Sequence, residues 1–300
     1  MPLTSIGLIL LSSVFHALWN VLTQTSKNSQ HFSGLKGLFI ILMALGSLAL
    51  FDFEYRHPLV IFWAVVSGLL HGMYILALSR AYNTQDISYV YPIARSAPVF
   101  VPWFAFLFLG EKIPPATGLA IILIVLAIYI LHFDGRLIRG FRNLWDAMLH
   151  RDLRWAFVTL GLVVAYSLVD KVGMKTFYRI SPDSPFANGI VFFFLESLVG
   201  FSLCLVYLFV TQPVRKIFIS WRNEWKVALI AGLATMGSYG LICVVLQFEA
   251  VSAVVTLRQT SVLMVVAYGC WKLKEPFGGK RLLAAVLIVV GVALMGFNND

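Results

Sequence analysis

The stretch Ile121-Ile122-Leu123-Ile124-Val125-Leu126 places six apolar side chains in succession, with no alternation of polar and apolar positions. Strands of a membrane β-barrel alternate between lipid-facing and lumen-facing side chains, so an unbroken apolar run predicts a membrane helix. Runs bounded by charges, proline or glycine predict ten spans, at residues 3–22, 34–51, 58–81, 87–109, 114–133, 154–172, 186–210, 226–248, 251–271 and 279–297. The predicted fold class is an all-α polytopic membrane protein.

The composition of the 300 residues agrees with this prediction. Hydrophobic residues make up 60% and charged residues 12%, and the mean hydropathy is +0.86, whereas about a quarter of the residues of a soluble domain are charged. Ten spans of about 20 residues use roughly 200 residues, which leaves no room for an appended soluble domain. The three cysteines stand singly in apolar stretches, which argues against a disulfide framework or a zinc site.

The 23 Lys and Arg are unequally divided between the two sides of the predicted membrane, and they account for the formal charge of +9 without nucleic acid as a partner. Loops after odd-numbered spans hold sixteen of them. Loops after even-numbered spans hold Arg56, Lys112, Lys171, Lys175 and Arg179. Because basic loops stay in the cytoplasm, both termini are predicted to lie outside a bacterial inner membrane.

An internal repeat appears when the sequence is shifted by 164 positions. Ser88 then aligns with Ser252, and Glu111 aligns with Glu275, among matching apolar residues. The predicted parts are a first five-helix repeat at residues 1–133, a basic connecting loop at 134–153 and a second five-helix repeat at 154–300. An odd number of spans per repeat gives the two repeats opposite orientations, which is the inverted design of many secondary transporters.

The motif Leu109-Gly110-Glu111-Lys112 returns in altered form as Leu273-Lys274-Glu275-Pro276. With Pro98 before the first copy and an apolar span after each, the chain resembles the EamA-type transporters of the drug/metabolite transporter superfamily over essentially its whole length. The second copy departs from the family pattern, because Lys274 replaces the glycine and Val262 aligns with Pro98. The stretches at 16–20 and 166–171 resemble a subgroup associated with phosphonate utilisation. The resemblance implies cytoplasmic termini, the reverse of the positive-inside prediction.

Charged residues inside the spans are the first functional candidates, because burying a charge in a membrane is costly. Glu196 lies about 15 Å along span seven, near the membrane midplane. It is interpreted as a proton-coupling carboxylate or a partner for a cargo ammonium, and alternatively as a structural acid. Arg95 and Arg258 lie about 12 Å into spans four and nine. Their guanidinium groups suit a carboxylate or phosphonate, and the alternatives are snorkelling and structural ion pairs.

Polar residues on other spans extend this set. His16 and Asn20 are one turn apart on span one, and His71 lies in span three. A histidine in a span can relay protons or make a structural helix contact. Neither histidine belongs to an HxxxH or HExxH pattern, so no metal and no cofactor are predicted. Asp170 is a coupling candidate, although a solvated boundary pair with Lys171 is the preferred interpretation.

Aromatic side chains and glycines complete the candidates. Aromatic rings could form a cage for a cation, or they could belong to the interfacial belt of a membrane protein. The aromatic candidates are Trp19, Tyr74, Tyr91, Tyr166 and Tyr239. Gly68 and Gly72 form a GxxxG contact face that is predicted to pack within the bundle. Glu111 and Glu275 are interpreted as structural acids.

The functional hypothesis is a secondary active transporter that moves a small polar metabolite by alternating access, with an amino-acid-like or aminophosphonate-like zwitterion favoured. An exporter of drugs or amines is one alternative. An intramembrane lipid-modifying enzyme is another, although the sequence offers no nucleophile with a base at recognisable spacing. No GxxxxGK[ST] run is present, so a gradient or exchange is expected to supply the energy. The expected partners are the cargo, the lipid bilayer and protons, with the protein a monomer or dimer.

Overall fold

The computed structural model describes residues 1–50, 57–84, 93, 96–132, 154–264 and 279–297. The ten α-helices in these ranges are α1 Leu3–Gln24, α2 Ser29–Leu50, α3 Pro58–Thr84, α4 Ala97–Leu109, α5 Pro115–His132, α6 Arg154–Ile180, α7 Pro185–Thr211, α8 Val214–Leu246, α9 Val251–Leu257 and α10 Gly279–Phe297. No strand occurs in the described ranges. The prediction of an all-helical chain is confirmed.

Each predicted span overlaps one of these helices, but several boundaries differ, and span nine contains α9, a 3₁₀ turn and further helical residues at 261–264. Helix α6 continues to Ile180, well past the predicted end at 172, and α8 begins at Val214 instead of 226. After Leu257, the end of α9, the chain makes a 3₁₀ turn at Arg258–Thr260. The parts of spans four and nine that lie outside the described residues are 87–92, 94–95 and 265–271.

The additional turns at the start of α8 mix apolar and charged side chains. Ile217 and Trp221 are buried, whereas Arg222 is exposed. The indole of Trp221 donates a hydrogen bond to the carbonyl oxygen of His31, at 2.8 Å. Hydropathy identifies only the apolar part of such a helix, which is why the predicted start falls too late.

Six helices, α1, α2, α3, α6, α7 and α8, are long and apolar enough to cross a membrane by length and composition. The shorter apolar segments are Ala97–Leu109 of α4, Pro115–Ile130 of α5, Val251–Met264, which includes α9 and the 3₁₀ turn after it, and Leu282–Met295 of α10. Large apolar side chains such as Phe108 and Val210 are exposed on the helix surfaces. Extended exposed apolar surface of this kind fits contact with lipid, and the protein is a multi-pass membrane protein.

The helices pack into two compact units. The first unit comprises Met1–Leu10, Ala77–Leu168 and Glu249–Asp300, and the second comprises Leu11–Leu76 and Val169–Phe248. Within the first unit, α10 packs on α5, and α9 packs on α4 and α5. Within the second unit, α2, α7 and α8 pack against one another. Each unit takes residues from both predicted repeats, and the predicted repeat boundaries stay a prediction.

Lys36 and Lys171, which the sequence assigns to loops, lie within helices. Lys36 is in α2 and only 5% exposed. Lys171 is in α6, where its ammonium donates a hydrogen bond to the carbonyl oxygen of Leu246 at 2.8 Å. The loop assignments are wrong because α2 starts earlier, and α6 ends later, than the apolar runs. Other basic residues assigned to loops also lie within helices, among them Arg80 of α3, Arg179 of α6 and Arg222 of α8, and the orientation stays a prediction.

Candidate functional site

Helices α3 and α7 approach closely because glycines face one another in the second unit. A β-carbon on Gly72 would lie 3.0 Å from the carbonyl oxygen of Gly200, and one on Gly200 would lie 2.9 Å from that of Gly68. Small residues permit such backbone contact between membrane helices. The prediction that the GxxxG face packs within the bundle is confirmed, and this contact brings Ser67 beside Glu196.

Five polar side chains from four helices meet in the second unit, and we call them the acid cluster. They are Ser67 and His71 of α3, Asp170 of α6, Glu196 of α7 and Tyr239 of α8. The Ser67 hydroxyl is hydrogen-bonded to Asp170 Oδ1, and it lies 2.7 Å from Glu196 Oε2. The Tyr239 hydroxyl donates to Asp170 Oδ2 at 2.5 Å. Both carboxyl groups are buried, with Asp170 at 0% and Glu196 at 3% exposure.

The hydrogen bonds of Ser67 restrict how the two acids can be protonated. A serine hydroxyl has one hydrogen and can donate to only one carboxylate, whereas its oxygen can also accept. If both carboxyl groups were ionised, the Ser67 hydrogen could bond to only one of them. The other carboxylate would then face the serine oxygen with no hydrogen between them, which is costly for buried charges. A proton on one carboxyl group satisfies both contacts. Because Tyr239 also donates to Asp170, the best assignment is an ionised Asp170 and a protonated Glu196 that donates to Ser67.

His71 borders the two acids. Its Nδ1 lies 3.1 Å from the carbonyl oxygen of Ser67, 3.2 Å from Ser67 Oγ and 3.9 Å from Glu196 Oε2. A carbonyl oxygen only accepts, so the first contact is made by a protonated Nδ1. The imidazole ring also contacts the edge of Tyr239, with centroids 5.0 Å apart. This geometry places a second proton carrier within reach of Glu196.

The burial of Asp170 corrects its preferred interpretation from the sequence. Asp170 is in the interior of α6, which runs Arg154–Ile180, and has no exposed surface. Adjacent residues on a helix point about 100° apart, and the Lys171 ammonium is bonded to the end of α8. A solvated boundary pair is therefore wrong. The physical reason is that α6 extends past the apolar run, so the position is internal and not terminal.

Three members of the acid cluster could also ligate a cation. His71, Asp170 and Glu196 each offer one ligand atom, and these atoms lie within 4.8 Å of one another. One nitrogen and two carboxylate oxygens suit a divalent transition metal as well as a proton. The sequence-based prediction of no metal considered histidine spacing along one helix, whereas these ligands come from three helices. The absence of a metal stays a prediction.

A second buried charge is Lys36, which is missing from the predicted set. Its Nζ lies 4.0 Å from the centre of the Trp19 ring, a cation–π contact. The Trp19 ring makes an edge contact with His16, with centroids 5.0 Å apart. Asn20 donates to the carbonyl oxygen of His16 at 2.7 Å, within its own helix. Trp19 therefore contacts both Lys36 and His16.

The other predicted candidates are distributed differently. Arg258 begins the 3₁₀ turn in the first unit and is half-buried, and Tyr166 is buried in the same unit. Tyr74 follows His71 by one turn of α3 and is half-buried. Arg95 and Tyr91 lie outside the described residues. The predicted candidates that meet in the acid cluster are His71, Asp170, Glu196 and Tyr239.

Ser67 is the cluster member that sequence reasoning missed. It lies one turn before His71, and its side chain is fully buried. A single serine in an apolar helix commonly bonds to its own backbone, as Ser167 does to the carbonyl oxygen of Val163 at 2.7 Å. The available signal was the helical spacing between Ser67 and His71, which puts both on one face.

These features define a class: a multi-pass helical membrane protein that keeps ionisable side chains buried between its helices. The chain belongs to the EamA-like transporter family, whose model matches residues 3–133 and 153–297. The resemblance to EamA-type transporters is confirmed, and the phosphonate subgroup stays a prediction. As a member of this family, the protein belongs among membrane transporters of small molecules.

A solved structure supports the fold. One structure, titled only as the crystal structure of a protein, is similar with a TM-score of 0.72 and 14% sequence identity, and the match covers 98% of this chain and 97% of that chain. At this identity the likeness shows the fold alone. No curated protein matches the chain significantly.

Proposed function

We propose that this protein is a secondary active transporter that moves a small polar metabolite across the cytoplasmic membrane by alternating access, driven by protons. The favoured cargo is an amino-acid-like or aminophosphonate-like zwitterion. Two inverted five-helix repeats would supply the two gates of such a mechanism. We further propose that both termini lie outside, because the excess of basic residues lies in the odd loops.

The observation that carries this proposal is the single Ser67 hydroxyl shared by Asp170 and Glu196. A proton on one of the two acids would satisfy both contacts of the shared hydroxyl, and buried acids within a membrane bundle commonly mark proton pathways. Loss of that proton would leave two negative charges at one buried oxygen. The ionised pair therefore favours a conformation in which the acids separate or reach water, which links protonation to a change in conformation.

Transport by the purified full-length protein in liposomes tests this function. Counterflow of labelled alanine, serine, β-alanine and 2-aminoethylphosphonate measures exchange, and uptake under an imposed pH gradient measures proton coupling. We expect Glu196→Gln to retain exchange and lose uptake driven by the gradient, because the amide can still donate to Ser67 but cannot release a proton. The control is Glu224→Gln, since Glu224 is a half-buried acid of the same unit bonded to the Lys27 backbone N–H.

Each outcome of these assays has a separate meaning. If the wild-type protein exchanges cargo but a pH gradient drives no uptake, the protein is a transporter without proton coupling. Equal loss of both activities in the Glu224 control would assign the defect to folding. No exchange of any compound would overturn the transport of this cargo class.

An exporter of amines or drugs is the second candidate, and the aromatic rings beside the acids favour it. Tyr239 contacts His71 and lies with its ring centroid 6.5 Å from that of Phe193. Carboxylates with aromatic faces suit an organic cation. Exchange of amines that lack an acidic group, with none of the zwitterions, would support this candidate.

The intramembrane enzyme is less well supported by the same side chains. A serine nucleophile needs a histidine base that is oriented by an acid. Here both acids contact Ser67 itself, and Nδ1 of His71 also faces the Ser67 carbonyl oxygen. The order of contacts therefore suits proton sharing better than activation of a nucleophile.

A further inference from the structure

Lys36 is a buried basic side chain that lies outside the acid cluster. Its residue is 5% exposed, and its Nζ faces the Trp19 ring at 4.0 Å. Among the residues whose side chains the structure describes, no Asp or Glu oxygen lies within 4.0 Å of this ammonium, and the neutral thiol of Cys204 is near enough to interact with it electrostatically. An ammonium removed from water without a counter-charge is destabilising, so a retained lysine at such a position calls for a partner.

We propose that the Lys36 ammonium binds the anionic group of the transported metabolite, a carboxylate or a phosphonate, beside the ring of Trp19. This inference rests on the proposed function and names the part of the cargo that this unit recognises. An ammonium carries three N–H donors. The ring face attracts the charge without accepting all of these hydrogens, so donors remain for an oxyanion.

The helices place Lys36 away from the acid cluster. Gly37 packs against Phe201 of α7, which is about 7.5 Å of helical rise from Glu196. Gly232 of α8 packs against the carbonyl oxygen of Lys36 and is about 10.5 Å of helical rise from Tyr239. The proposed anion site and the acid cluster therefore lie at different heights along the helices of one unit. Substitutions can test the two sites separately.

The chemistry of the neighbours also favours an anion. Trp19 is half-buried, so the site formed by Lys36 and Trp19 reaches the surface of the unit on the Trp19 side. The His16 ring makes a T-shaped contact with the Trp19 ring, with centroids 5.0 Å apart. A compact point charge beside an aromatic ring suits a small oxyanion, whereas a cationic ligand would be repelled by the lysine.

Ligand-induced thermal stabilisation of the purified full-length protein tests the inference, because binding to the folded state raises its stability by RT ln(1 + [L]/Kd). The probes are 2-aminoethylphosphonate, β-alanine and 3-aminopropanol, of which the last has the amine and no acidic group. We expect the two acids to raise Tm in a saturable way and 3-aminopropanol to have no effect. Lys36→Gln should weaken binding of the acids at least tenfold, and Lys36→Arg should preserve most of it.

Two further variants keep the test decisive. Lys27→Gln is the matched control, because Lys27 is an exposed lysine of the same unit. Lys36→Met keeps the length of the side chain and removes its charge. If the ammonium awaits a ligand, this variant should equal or exceed the wild-type Tm without ligand, since an unmatched buried charge has been replaced by an apolar group. A Tm lowered by more than loss of the cation–π contact with Trp19 can account for would show that Lys36 has a further structural partner, and it would overturn the proposal.

Other results would also overturn it. Unchanged binding of the acids in Lys36→Gln, or no stabilisation of the wild-type protein by either acid, removes the anion site. Counterflow assays distinguish failure of the Lys36 anion site from failure of the proposed transport function. Exchange that survives in Lys36→Gln leaves a transporter without this site, whereas lysine-dependent binding with no exchange leaves the site without transport.

Discussion

The Glu111 carboxylate accepts a hydrogen bond from the Ser252 hydroxyl at 2.7 Å, although 141 positions separate the two residues. It also accepts from the backbone N–H groups of Val251, at 2.8 Å, and of Ser252, at 3.4 Å. A carboxylate here satisfies free N–H groups at the start of α9 and matches the positive end of the helix dipole. These bonds support the structural interpretation of Glu111. The aligned residues Ser88 and Glu275 lie outside the described residues.

Replacing Glu111 should loosen the start of α9. We expect Glu111→Ala to destabilise the protein by about 1–2 kcal/mol, the usual effect of losing a helix cap, and to lower Tm by several degrees. Ser252→Ala removes one of the three bonds and should have a smaller effect. Thermal unfolding of both variants measures the difference, and an equal effect of the two substitutions would contradict the role of the carboxylate.

The Tyr239 hydroxyl should stabilise the ionised acid of the cluster. Tyr239→Phe keeps the ring and removes the donor to Asp170, and a hydrogen bond to a charged group contributes about 1.5–3 kcal/mol. We therefore expect a lower Tm and reduced uptake under a pH gradient. Tyr178→Phe is the control, because the structure gives Tyr178 a ring contact with Phe248. Equal results for the two variants would remove Tyr239 from the coupling site.

The close contact of α3 with α7 should depend on the absence of side chains. Gly68→Ala would place a β-carbon against the backbone of Glu196, and overpacking of this kind costs about 1–3 kcal/mol. We expect a lower Tm and loss of gradient-driven uptake, since Ser67 would move away from Glu196. Gly46→Ala is the control, because a β-carbon there has no neighbour within 4 Å. Loss of stability in the control alone would contradict the packing argument for Gly68.

The orientation in the membrane can be read from two exposed loop positions. Asn28 follows α1 and Asp183 follows α6, and both are exposed. In a variant whose native cysteines are replaced, an impermeant maleimide added to intact cells should label Asp183→Cys. Asn28→Cys should react only after permeabilisation, because basic odd loops are retained in the cytoplasm. The opposite labelling pattern would place both termini in the cytoplasm.

Part of the site was predictable, because a charge in an apolar run is conspicuous. Glu196 and His71 stand out in their spans for this reason. Asp170 was found but misinterpreted, since hydropathy does not reveal that α6 continues to Ile180. Ser67 has no charge, and nothing in its own helix shows that two acids from other helices will meet it.

Lys36 is a second residue whose burial could not be predicted from hydropathy. Its position near the start of an apolar run predicts a loop residue, whereas the helix begins at Ser29 and buries it. Where a helix starts depends on its caps and on the helices beside it, and these are weak signals in hydropathy. The family resemblance, in contrast, depended on short motifs and was confirmed over both matched ranges.

The sequence alone determined that the chain forms apolar membrane helices, because an unsatisfied backbone is not tolerated in lipid and continuous apolar runs leave the helix as the solution. It also determined the family and which spans contain charge. Only the tertiary structure decided which polar side chains meet. Contacts among Ser67, Asp170 and Glu196 depend on glycine-mediated approach between helices that are distant in sequence, and such packing is set by the shapes of all the surfaces that meet.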